Sequence, residues 1–125
     1  MSQYTSPEIP SPCYVLDEKL LRKNLELMQK VQEQSGADII LALKGYAMWS
    51  AFPLIRQYLK GCTASSVWEA KLAAEEFSRE VHAYAPAYKQ EDIDELLPLV
   101  NHLSFNSVSQ WHKYREQTAA AGVSI

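Results

Sequence analysis

The sequence predicts an α/β fold of consecutive βα units, the N-terminal part of a (β/α)8 barrel, on three observations. Short apolar runs recur near residues 39, 62, 81, 103 and 123, a spacing of about twenty residues that is the rhythm of strand–helix repeats. Between them lie segments with helical periodicity, most of them opened by a capping residue and several closed by glycine. No Gly-x-Gly-x-x-Gly or Walker-type loop follows any strand, which counts against the doubly wound nucleotide-binding sheets that share this rhythm. Five strands cannot close an eight-stranded barrel, so the expectation is part of a longer protein, cut after about four βα units. Residues 1–16 are expected to be an extended segment with a leading strand, and 17–125 the partial barrel.

Taken in order, the first twelve residues are polar and carry Pro7, Pro10 and Pro12, which favours extended chain. Cys13-Tyr14-Val15-Leu16 reads as a short strand. Asp17 is placed to cap a long helix with an apolar series at Leu20, Leu21, Leu25, Met28 and Val31, stopped by Gly36. Ile39 to Leu43 is apolar and too short for a helix, and it suits a strand covered on both faces. A second helix opens near Ser50, tolerates Pro53 in its first turn and ends by Gly61. Cys62-Thr63-Ala64 is a brief strand, and Ser66-Val67-Trp68-Glu69 has the form of a capping box opening a third helix. Val81 to Tyr84 is a strand, about Gln90 to Leu97 a helix with an acidic start, His102 to Phe105 a strand, and about Val108 to Ala120 a helix ended by Gly122. Val123-Ser124-Ile125 begins a further strand.

Composition narrows the function. The chain has 125 residues, 47% hydrophobic and 22% charged, with net charge -3 and acids and bases interspersed, so no basic stripe is available to track nucleic acid. No run is long enough to span a membrane and the N-terminus lacks the pattern of a signal peptide. Cys13 and Cys62 are isolated, without metal-ligand spacing, so no metal site is expected and a reducing cytoplasm is the simplest location.

Against this background Lys44 is the candidate for chemistry. It ends the apolar run Ile39 to Leu43 and precedes Gly45, at the carboxyl end of a strand, where α/β folds keep their active sites. Tyr84 and Asn106 are expected at the same end of later strands and could contact a ligand there. Tyr46, Trp49 and Phe52 are expected to pack between strands and helices. His82 and His102 are expected at strand starts, on the side of the barrel that serves stability.

The local wording is more specific than these positions. Ile39 to Ala47 with Met48-Trp49-Ser50-Ala51-Phe52-Pro53, then Thr63-Ala64-Ser65-Ser66, Tyr84-Ala85-Pro86-Ala87-Tyr88-Lys89 and Phe105-Asn106-Ser107, together resemble carboxynorspermidine/carboxyspermidine decarboxylases. These belong to the alanine-racemase-like, fold type III group of pyridoxal-phosphate enzymes. The resemblance runs through nearly the whole chain, including Ile9 to Asp17. It implies a cofactor-binding barrel, a C-terminal β-domain lying outside this chain, a homodimer with shared active sites, and removal of CO2 from carboxynorspermidine or carboxyspermidine. It implies that Lys44 is the lysine that joins pyridoxal 5'-phosphate, a task that needs a neutral amine, which burial favours. It places Ala42 as a small residue leaving room for the cofactor ring. Thr63 falls at a position where ornithine-type relatives usually carry an aspartate. Groups that cradle the phosphate and hold the pyridine nitrogen are expected beyond Ile125, so the fragment alone is expected to be inactive. Other readings of the same lysine are a diaminopimelate, ornithine or arginine decarboxylase, a racemase, or a pyridoxal-phosphate-binding protein without turnover.

Overall fold

The computed structural model describes residues 9–125. Residues 1–8 of the expected extended segment 1–16 lie outside the described residues. Cys13 to Leu16 is not a strand: it runs exposed, without a ladder partner among the described residues. A strand needs a neighbour for its N–H and C=O groups, and apolar alternation alone does not provide one.

Helix α1 spans Glu18–Ser35. The Asp17 carboxylate accepts from the N–H groups of Lys19 at 2.9 Å and Leu20 at 3.1 Å, and Gly36 closes the helix at φ 71°. Of its apolar series only Leu25 is buried and Leu21 partly so; Leu20, Met28 and Val31 are exposed. The helix packs against the short helix Phe52–Ile55, and the rest of its apolar stripe is left open.

Strand β1 is Leu41–Ala42, shorter than the five-residue run suggests. The cause is local. The Ala42 carbonyl accepts from both Gly45 N at 2.9 Å and Tyr46 N at 3.1 Å, which closes a turn directly after the strand. Leu43 N still reaches the Thr63 carbonyl at 3.1 Å before the chain turns away. A 3₁₀ turn over Trp49–Ala51 leads into α2, Phe52–Ile55, with Pro53 in its first turn as expected; the helix ends earlier than predicted.

Strand β2 is Gly61–Ala64, and α3, Val67–Leu72, starts at Ser66, whose hydroxyl accepts from Glu69 N. The Glu69 carboxylate turns back to Ser65 N at 2.7 Å rather than to Ser66, so the capping box is shifted by one residue. The helix widens into a π turn over Ala73–Phe77, ended by Ser78 at φ 55°. Strand β3 is Glu80–Tyr84, α4 is Gln90–Leu96, β4 is His102–Ser104 and α5 is Val108–Ala120. The last predicted strand is reduced to one parallel bridge, Ser124 with His102.

The four strands lie side by side in sequence order, all parallel, with helices between, the topology of successive units of a (β/α)8 barrel. Alternate residues serve opposite faces. Cys62, Ala64, Val81, Ala83 and Leu103 are buried in the core with Phe52, Phe77, Ile93, Leu96 and Tyr114 from the helices. Phe52 and Phe77 meet edge to face at 5.3 Å, and each fully buried large apolar side chain contributes about 1.5–3 kcal/mol. The other face presents a row fixed by register, Ala42, Thr63, His82 and His102, with Ser124 bridged to its end. These residues are half-buried or exposed, so among the described residues one face of the sheet is covered and the other is open. That differs from the expectation that the Lys44 strand is covered on both sides.

Gly61 is required by the β2–β3 approach. A Cβ there would lie 2.3 Å from the carbonyl oxygen of Glu80, its register partner.

Candidate active site

Lys44 sits in the turn formed when the Ala42 carbonyl captures two N–H groups, at the carboxyl end of the parallel sheet. It is exposed, and among the described residues no carboxylate pairs with it. The burial expected of a lysine held neutral is therefore not supplied by the described residues. The chain that follows it, Gly45 to Met48, lines a cavity of ≈ 540 Å³ with Tyr14, Val15 and Leu16, and Lys44 itself is not part of that lining.

The other sequence-predicted residues fall into two pairs. Ala42 and Thr63 are register partners on β1 and β2, both half-buried and both on the open face. Tyr84, the last residue of β3, donates its hydroxyl proton to Asn106 Oδ1 at 3.1 Å, joining the chain after β3 to the chain after β4. Lys44 lies two residues beyond Ala42; among the described residues no hydrogen bond joins it to Tyr84 or Asn106.

The aromatic residues after β1 separate. Phe52 is wholly buried, Trp49 is exposed, and Tyr46 packs on the edge of the core with its hydroxyl buried and without a hydrogen-bond partner. Burial raises the Tyr46 phenol above its ordinary pKa, so this group remains a neutral donor.

The rim between β3 and α4 is held by residues that sequence reasoning did not single out. The Tyr88 hydroxyl accepts from Ala85 N at 2.8 Å and donates to the Ser104 carbonyl at 3.2 Å. Tyr114 donates to the Tyr88 carbonyl at 3.2 Å. Gln110 accepts from Tyr88 N at 3.2 Å and donates to the Pro86 carbonyl at 3.0 Å. His82 is the third residue of β3 and not its start, whereas His102 does begin β4. Their recurrence on successive strands was the available signal that they are neighbours.

No protein-family model matches the chain. Carboxyaminopropylagmatine decarboxylase of Synechocystis is 51% identical over 108 residues, 86% of this chain and 28% of the relative. The carboxynorspermidine/carboxyspermidine decarboxylase of Campylobacter jejuni is 48% identical over 111 residues, 89% of this chain and 29% of the relative. The crystal structure of carboxynorspermidine decarboxylase complexed with norspermidine, from the same organism, superposes with a TM-score of 0.86 at 48% identity. That match covers 89% of this chain and 30% of the solved one. The chain is homologous to the carboxynorspermidine/carboxyspermidine decarboxylases. It spans under a third of the length of these decarboxylases. D-threonine aldolase from Filomicrobium marinum matches with a TM-score of 0.78 over 93% of this chain at 16% identity, a likeness of fold alone. Among the described residues no helix is long and apolar enough to cross a membrane.

Proposed function

We propose that the protein containing this chain is a pyridoxal-phosphate-dependent decarboxylase of carboxynorspermidine and carboxyspermidine, yielding norspermidine and spermidine. The observation that carries the reading is the placement of Lys44. A lysine without a carboxylate partner among the described residues stands at the carboxyl end of a parallel sheet, in a chain about half identical to decarboxylases of carboxylated polyamines.

The residues present fit the cofactor. Lys44 offers an amine that no described acid neutralises, Ala42 is small enough to leave space on the open face, and Thr63 sets a hydroxyl next to it by register. Pyridoxal phosphate, when bound, supplies an electron sink for the charge left as CO2 departs. Lys44 would hold it covalently, and its Nζ is the group able to carry a proton at the reacting carbon. Tyr84 and Asn106 would present a joined hydroxyl and amide at the mouth. Desolvation of Lys44 would come from chain outside these residues, in keeping with a C-terminal β-domain and a homodimer acting in the cytoplasm.

The test uses the full-length protein. Decarboxylation of carboxynorspermidine should require pyridoxal phosphate, and Lys44→Ala should lower it by about 10²–10⁴-fold or more, the range for a positioned proton-transfer group. Borohydride reduction and peptide mapping should mark Lys44; a label on another lysine would refute the assignment. A second substrate reading, carboxyaminopropylagmatine, is favoured by the 51% identity to the Synechocystis enzyme, and a rate comparison across the three substrates decides between them.

A further inference from the structure

The open sheet face carries a side-chain cluster that the proposed chemistry does not use. Glu80 and His82 are two residues apart on β3 and so share a face, and His102 is the register partner of His82 on β4. The two imidazole rings stack with centroids 4.1 Å apart and planes 15° from parallel. One ligand-capable atom from each of the three residues lies within 4.8 Å of the others. His82 Nε2 is 3.5 Å from Glu80 Oε2, yet this buried nitrogen makes no hydrogen bond. A desolvated polar atom without a partner is unfavourable and calls for a group to satisfy it.

We propose that Glu80, His82 and His102 bind a divalent transition metal of the zinc class. Two imidazole nitrogens and one carboxylate oxygen form a donor set that zinc takes with a fourth position left for water, whereas magnesium and calcium prefer all-oxygen sets. The parallel β3–β4 ladder fixes the spacing of the two histidines through the backbone. Metal–ligand bonds of about 2.0–2.2 Å put tetrahedral donors roughly 3.4 Å apart, so the three side chains must draw together from their present spread. The lone pairs of stacked rings run side by side rather than converging. Binding therefore turns the His102 ring off that of His82. Bound metal would clamp β3 to β4 and satisfy His82 Nε2. The site draws on no residue assigned to the decarboxylase.

The test is metal binding by the full-length, tag-free protein after chelator treatment. Calorimetry with Zn²⁺ should give one saturable site per chain, Co²⁺ should give the visible absorption of a tetrahedral complex, and Mg²⁺ should not compete. His82→Gln and His102→Gln should each weaken Zn²⁺ binding by more than about tenfold, the lower bound for loss of an outer-shell partner alone. His112→Gln, at an exposed position of α5, should leave it unchanged. Circular dichroism identifies variants that remain folded, and Glu80→Gln serves as the further ligand variant. Absence of saturable Zn²⁺ binding by the folded wild type, or equal affinity in folded histidine variants, would overturn the proposal.

Discussion

Tyr88→Phe removes one oxygen and keeps the ring, so it isolates what the hydroxyl does. The hydroxyl accepts from Ala85 N at 2.8 Å and donates to the Ser104 carbonyl at 3.2 Å, so it ties the start of the β3–α4 loop to the end of β4. The ring's edge-to-face contact with Phe105, 6.0 Å between centroids, is preserved in the variant. Two neutral hydrogen bonds at about 0.5–1.5 kcal/mol each give about 1–3 kcal/mol, and the part-buried Ala85 N–H left behind favours a value near 2 kcal/mol. Tyr114→Phe loses only the bond to the Tyr88 carbonyl and should cost about 1 kcal/mol. Urea unfolding with an unchanged slope is the assay. A Tyr88→Phe loss below about 0.5 kcal/mol, or one no larger than that of Tyr114→Phe, would refute the assignment of this hydroxyl as the rim's main tie. There is also a pH signature. Burial raises the Tyr88 phenol above its ordinary value of 10.0, so the folded chain keeps this proton where the unfolded chain has lost it. Stability should therefore fall as pH rises beyond 10.0, less steeply in Tyr88→Phe.

Gly61→Ala forces a Cβ to within 2.3 Å of the Glu80 carbonyl and should cost about 1–3 kcal/mol or more, read as a lowered urea midpoint. Of the two cysteines, exposed Cys13 should react with a thiol reagent in the folded protein, while Cys62 should react only after unfolding. Burial pushes the Cys62 thiol from 9.0 to about 12, so the proton held by the folded state stabilises it below 9.0 and that contribution declines as pH rises towards 12. Cys62→Ala should flatten the alkaline slope in that window.

The helices and the parallel order were legible because their signals are local. Asp17, Gly36, Ser66 and Gly122 punctuate the chain through bonds to residues a few positions away. The strands were legible in place but not always in extent. Nothing in Ile39 to Leu43 reveals that the Ala42 carbonyl will be taken by Gly45 and Tyr46, and nothing in Cys13 to Leu16 reveals that no described strand pairs with it. Lys44 was readable as a strand-end lysine, whereas its exposure was not, since burial depends on chain distant in sequence. The Tyr84–Asn106 bond joins two predicted residues 22 positions apart. The His82–His102 stack went unread for a related reason: register, not spacing along the chain, makes them neighbours.

Gln110 grips the segment between β3 and α4 by the Tyr88 N–H and the Pro86 carbonyl, and the Tyr88 hydroxyl takes hold of the Ala85 N–H. In each of these three bonds the atom that is held, on Ala85, Pro86 or Tyr88, is a main-chain atom. The side chains of Ala87 and Lys89, both exposed, can therefore be exchanged without redirecting the backbone. The loop offers two positions where the chemistry of the rim can be rewritten while its path stays clasped from beneath.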